Sequence, residues 1–205
     1  GFFNQMYPDQ GFRVMTDVDI LILENDLDRT LEILYTMGYQ HDREDFEVYG
    51  KFANLFVPGK FSNSLELHVD LNKINCPGFI PVKEFWEQAT PVQSGGIQFH
   101  LLSADHQILY HVIHSEIQHD IYDFGMIDLR QLVDFSLKVG FLGPKIDWNL
   151  VNERMLKFGY SKVYRNYLFL ANRLLGTRFD RIPATGLSSW LRYSKLMAYI
   201  AWPKA

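Results

Sequence analysis

Two carboxylates two residues apart at the mouth of an apolar run, Thr16-Asp17-Val18-Asp19-Ile20-Leu21-Ile22-Leu23, restrict the fold of this chain more than any other segment. Successive strand side chains point to opposite faces, so Asp17 and Asp19 share one face while Val18, Ile20 and Ile22 share the other. The unbroken apolar stretch from Ile20 to Leu23 predicts a strand covered on both faces, with the acids where it meets a cleft. Acids this close repel one another without a counter-charge. A hard divalent cation supplies that charge; the plainer alternative is a pair of polar residues at a strand entrance, with Asp17 in a turn.

A second extended segment offers a third ligand. In Ser64-Leu65-Glu66-Leu67-His68-Val69-Asp70, Leu65, Leu67 and Val69 form one face and Glu66, His68 and Asp70 the other. If this strand neighbours the first, Glu66 or, as the alternative, Asp70 comes within reach of a cation held by Asp17 and Asp19. Mg²⁺ takes oxygen ligands and keeps positions open for phosphates and water, so three carboxylates are a sufficient protein share. His68 reads as a hydrogen-bond partner that orients the carboxylates. Arg13, just ahead of the acids, presents a planar fork of donors to a phosphate oxygen or, equally, a salt bridge to the acids. Lys51 and Lys60 are weaker candidates of the same kind.

Composition narrows the partners. A chain of 205 residues with 47% hydrophobic residues buries a substantial core. A net charge of −4 lacks the basic balance of proteins that bind extended nucleic acid. The single cysteine, Cys76, leaves no internal disulfide and no cysteine-based zinc cage, which fits a reducing, cytoplasmic setting. The apolar stretch Trp190 to Trp202 is interrupted by Arg192, Ser194 and Lys195 and is too short to cross a bilayer.

Along the chain, Asn25 is placed to cap a helix carrying Leu27, Leu31 and Leu34, and Gly38 to end it in a left-handed conformation. Segments 45–57 and 64–70 flank the turn signal Pro58-Gly59-Lys60 and predict an antiparallel hairpin. Pro81 opens a short helix to Ala89, and Ile97, Phe99 and Leu101 alternate as a last strand that closes the sheet. After Leu102 the period changes: Ser103 caps a helix through Ile117, and helical patterns follow near 125–139, 147–158, 161–175 and 187–200. The boundary expected is therefore 1–102 for an αβ lobe and 103–205 for a helical lobe. The first of these helices is rich in histidine, with His106, Tyr110 and His114 on one face and His111, Ser115 and His119 on another. No matching third and fourth ligand accompanies them for zinc.

Met6-Tyr7-Pro8-Asp9-Gln10-Gly11-Phe12-Arg13, then Asp17-Val18-Asp19-Ile20-Leu21, Gly38-Tyr39 and Leu65-Glu66-Leu67-His68, form an ordered set. With Leu102-Ser103-Ala104-Asp105, His114, His119 and Leu129-Arg130-Gln131-Leu132-Val133-Asp134, that set resembles the uncharacterised nucleotidyltransferases of the DNA polymerase beta superfamily over roughly residues 1 to 176. The resemblance implies an α/β (α+β) fold, a nucleotidyltransferase-like mixed sheet with flanking helices followed by a helical lobe. It implies that Asp17, Asp19 and Glu66 are the catalytic, metal-binding triad for Mg²⁺ (or Mn²⁺), with an NTP as co-substrate. Relatives grip the nucleotide's phosphates with a small-residue turn. Gly1 stands where that turn would end, either as its remnant or as a glycine foreign to the natural chain. His114, His119, Arg130 and Asp134 are then expected at a pocket for a small hydroxylated acceptor. The alternatives are a non-catalytic nucleotide-binding or interaction module derived from that fold, and a hydrolase using the same carboxylates.

Overall fold

The computed structural model describes residues 6–13, 15, 17–41, 52–58, 64–71, 78–118, 120–179 and 186–201. It is a mixed α+β chain that divides into two compact units, Tyr7–Glu84 and Phe85–Ala205 with Gly1–Met6. The hairpin at 90–101 groups with the helices that follow it.

The first unit contains β1 (Asp17–Leu21), α1 (Leu27–Thr36), β2 (Gln40–His41), β3 (Phe52–Phe56) and β4 (Ser64–His68). The four strands form one sheet in the order β1-β4-β3-β2. β1 and β4 run parallel, whereas β4–β3 and β3–β2 are antiparallel. The expected hairpin between β3 and β4 is present; Gly59 and Lys60 of its turn, like Lys51, lie outside the described residues. The helical spacing of α1 puts Leu31 against Leu55 and Leu67, with Ile22, Leu27, Leu34, Tyr39 and Leu65 packed around them. α1 ends as its glycine predicts. Gly38 has φ +91°, its N–H donates to the Tyr35 carbonyl at 2.9 Å, and the Tyr39 N–H donates to the Leu34 carbonyl at 3.0 Å. Those two bonds satisfy carbonyls that the helix end leaves open and fold Tyr39 back over Leu34.

Two expectations for this unit are corrected. Asn25 is not the helix cap: it lies inside a 3₁₀ turn, Glu24–Asp26, and Asp26 occupies the cap position. β1 is not covered on both faces. Among the described residues it is an edge strand with β4 as its one neighbour, and Val18 and Ile20 stay 40% and 39% exposed. Hydrophobic periodicity reports side-chain character, not how many neighbours a strand acquires.

Leu67, 2% exposed, lies directly behind the polar face of β4. Leu67→Ala is expected to cost about 2–5 kcal/mol, through lost transfer energy and the cavity left behind. A lower urea midpoint at unchanged slope is the measurement; a loss under about 1 kcal/mol would show that α1 and the sheet do not share this core.

The second unit follows α2 (Val82–Gln88), which spans the division. β5 (Thr90–Ser94) and β6 (Ile97–Leu101) form a separate two-stranded hairpin, so the last strand does not close the first sheet. Gly95 and Gly96 turn it with φ +57° and +79°, the positive pair that a two-residue type I′ turn requires. Then come α3 (Ala104–Val112), a π-helical segment (Ile113–Gln118), α4 (Leu129–Leu142), α5 (Trp148–Lys157), α6 (Ser161–Leu175) and α7 (Leu187–Ala201). Side-chain caps start three of them: Ser103 accepts from the His106 N–H, Asp128 from Arg130 and Gln131, and Asp147 from Asn149 and Leu150. α6 is the central helix. It contacts α4, α5 and α7, and Tyr164, Tyr167, Leu168, Leu170 and Ala171 are buried along it.

Candidate metal centre

The parallel pairing of β1 with β4 brings the acidic motifs together. Register pairs Asp17 with Ser64, Asp19 with Glu66 and Leu21 with His68. Because β4 alternates, Leu65 and Leu67 face the core and Glu66 and His68 take the other side, beside Asp19. His68 Nε2 lies 2.8 Å from Asp19 Oδ1 and 3.6 Å from Glu66 Oε2. One donor atom from each of Asp19, Glu66 and His68 falls within 4.8 Å of the others. The side chains of Asp19, Glu66 and His68 are 37%, 23% and 15% exposed, so the cluster opens to solvent while its histidine is held inside.

Charge explains the arrangement. Burial by itself disfavours a charged His68 ring, but the hydrogen bonds and negative charges of Asp19 and Glu66 outweigh it and raise the pKa to about 9. A protonated imidazole can thus serve as counter-ion to the two carboxylates. A divalent cation is the other group that could do so, and two carboxylates with an imidazole are a donor set such ions accept. The residues present therefore fit a divalent metal.

The remaining candidates fall elsewhere. Asp17 shares the face of Asp19 two pairs earlier along β1 and is not one of the three converging donors. Arg13 is half-buried in the segment before β1, Asp70 follows β4, and Gly1 lies outside the described residues. In the second unit, the His114 ring tilts against Tyr110 with centroids 5.5 Å apart. The Arg130 side chain is 71% exposed and 3.7 Å from the Asp128 carboxylate, whereas Asp134, one turn on in α4, is buried. His119 lies outside the described residues.

The histidine that does organise this unit is His111. Its buried Nε2 is 2.9 Å from the Gln131 carbonyl and 3.2 Å from the Tyr167 hydroxyl, and Lys138 Nζ donates to Nδ1 at 3.2 Å. Burial lowers the Lys138 pKa to about 8, against the pull of Asp134. No spacing rule separates His111 from its neighbours; its distinction is the interior face of α3, visible only in Ile108, Val112 and Ser115 around it.

A mixed sheet whose parallel strand pair presents converging acids, followed by a helical part, is the architecture expected of a nucleotidyltransferase. The chain belongs to the family of uncharacterised nucleotidyltransferases, which its residues 2–176 match. No curated protein matches it. No helix among the described residues is long and apolar enough to cross a membrane.

Proposed function

We propose that this chain is a metal-dependent nucleotidyltransferase of the DNA polymerase beta-like superfamily, moving an NMP group from an NTP to a hydroxyl of a small-molecule acceptor. The convergence of Asp19, Glu66 and His68 in a chain of this family carries the reading. In such a transfer the acceptor oxygen bonds to the α-phosphorus, the bond from that phosphorus to the β-bridging oxygen breaks, pyrophosphate leaves and the acceptor proton passes to solvent. A bound Mg²⁺ or Mn²⁺ neutralises charge on the entering and departing oxygens.

The chain's own residues then divide the work. Asp19 and Glu66 would hold the ion from adjacent strands, and Asp17, two residues earlier on the same face of β1, would add its carboxylate once the triphosphate is bound. Arg13 supplies a phosphate contact. Roles for Gly1 towards the phosphates and for His114, His119, Arg130 and Asp134 towards the acceptor rest on the family resemblance alone. A net charge of −4 favours a small acceptor over a polynucleotide, and a cytoplasmic setting is part of the proposal.

Each NTP incubated with Mg²⁺ or Mn²⁺ is expected to release pyrophosphate only when a hydroxylated acceptor is added, and to stop in the Asp17→Asn/Asp19→Asn double variant. Nucleotide that raises the melting temperature without release in any acceptor panel would point instead to a binding module. Release that needs no acceptor would mark a hydrolase.

A further inference from the structure

The position of His68 bears on which ion this centre takes, given the transferase reading above. A histidine that merely oriented one carboxylate would stand at the rim of the cluster. His68 Nε2 instead faces both acids, at 2.8 Å from Asp19 and 3.6 Å from Glu66. Ligands of an octahedral ion bound at about 2.1 Å sit about 3 Å from their neighbours, so these spacings already resemble adjacent vertices around one ion. The ring has little room to withdraw, since its side chain is only 15% exposed. A cation entering between Asp19 and Glu66 therefore meets Nε2 at close range, where a lone pair binds it and a proton would repel it.

We propose that His68 Nε2 is a direct ligand beside Asp19 and Glu66, and that this nitrogen makes the site select a first-row transition ion over Mg²⁺. Magnesium favours all-oxygen surroundings and holds its waters, whereas imidazole nitrogen is a good ligand for the transition series. The all-carboxylate centre read from the sequence carries no such preference.

Manganese is the probe, because it accepts both kinds of donor and its electron spin reports them. In the wild-type chain, electron spin-echo spectra of bound Mn²⁺ are expected to show coupling to a directly bound nitrogen. Mn²⁺ should also bind at least about tenfold more tightly than Mg²⁺ in competition. His68→Gln, verified as folded by its melting curve, should erase the coupling and bring the two affinities within about threefold of each other. Growing wild-type protein on nitrogen-15 histidine should change the coupling pattern, which keeps the test sharp should the variant not fold. Mn²⁺ bound without nitrogen coupling, or coupling that survives His68→Gln, would overturn the ligand role and leave the transferase reading standing. If neither ion binds the wild-type chain, with or without NTP, the transferase reading itself fails.

Discussion

Asp19→Asn is expected to reduce nucleotidyl transfer by about a thousandfold or more while leaving the fold intact. Asp19 is the one acidic residue of β1 whose oxygen reaches the converging donor group, at 2.8 Å from His68 Nε2. Losing its charge removes an ion whose neutralisation of transition-state oxygens is worth several kcal/mol, and each ~1.4 kcal/mol is tenfold in rate. Glu66→Gln should behave alike, because Glu66 is the register partner of Asp19. Asp17→Asn separates two roles. Paired with Ser64 and outside the converging three, Asp17 is expected to matter for turnover with nucleotide present and far less for metal affinity without it. Steady-state pyrophosphate release, set beside Mn²⁺ titration of the nucleotide-free variants, makes the comparison. Full activity in Asp19→Asn would remove the metal centre from the reaction.

Most of this centre was legible in the sequence because it rests on period two. Asp17 and Asp19 share a face, Glu66 and His68 share a face, and adjacency of the two strands was the only further assumption; the parallel β1–β4 pairing supplies it. What the pattern could not show was distance. His68 reads as an orienting residue until Nε2 is seen facing both carboxylates. Strand β5 has no strand signal of its own for a different reason: Thr90-Pro91-Val92-Gln93-Ser94 carries a proline and no apolar alternation, and only the Gly95-Gly96 turn marks it. The exposure of Val18 and Ile20 is not encoded in their pattern, because an apolar strand has the same sequence at the edge of a sheet as in its middle. Helix positions follow local signals such as the Ser103 cap, yet α4 starts at Leu129 behind the Asp128 cap and not near 125, and partners far apart in sequence, such as His111 and Tyr167, leave no periodic trace.

The same limit hides the interaction that fastens α7, which lies beyond the family match at 2–176. Arg192→Met is expected to destabilise the chain by about 3–5 kcal/mol, the usual result of stripping one partner from a buried ion pair. Arg192 Nη1 lies 2.7 Å from Glu116 Oε2, and both side chains are nearly inaccessible, at 8% and 1%. The guanidinium also stacks over Tyr122 at 5.0 Å and donates through Nη2 to the Met126 carbonyl. Beside it, Ser189 donates to Asn166, whose amide donates to the Tyr122 hydroxyl at 3.0 Å, so α7 joins α6 through one polar network. Burial raises the Glu116 pKa and Arg192 pulls it back; without Arg192 the carboxylate must sit unpaired or take up a proton. The loss should therefore shrink as pH falls towards the ordinary carboxyl range, where a protonated Glu116 leaves no charge to strand. Replacing both members, as Glu116→Leu/Arg192→Met, is expected to return stability to within about 1 kcal/mol of the wild-type chain. Urea unfolding of the two single variants and the double closes the cycle. A double variant as unstable as Arg192→Met alone would mean that α7 is held by the packing of the arginine stem and not by its charge.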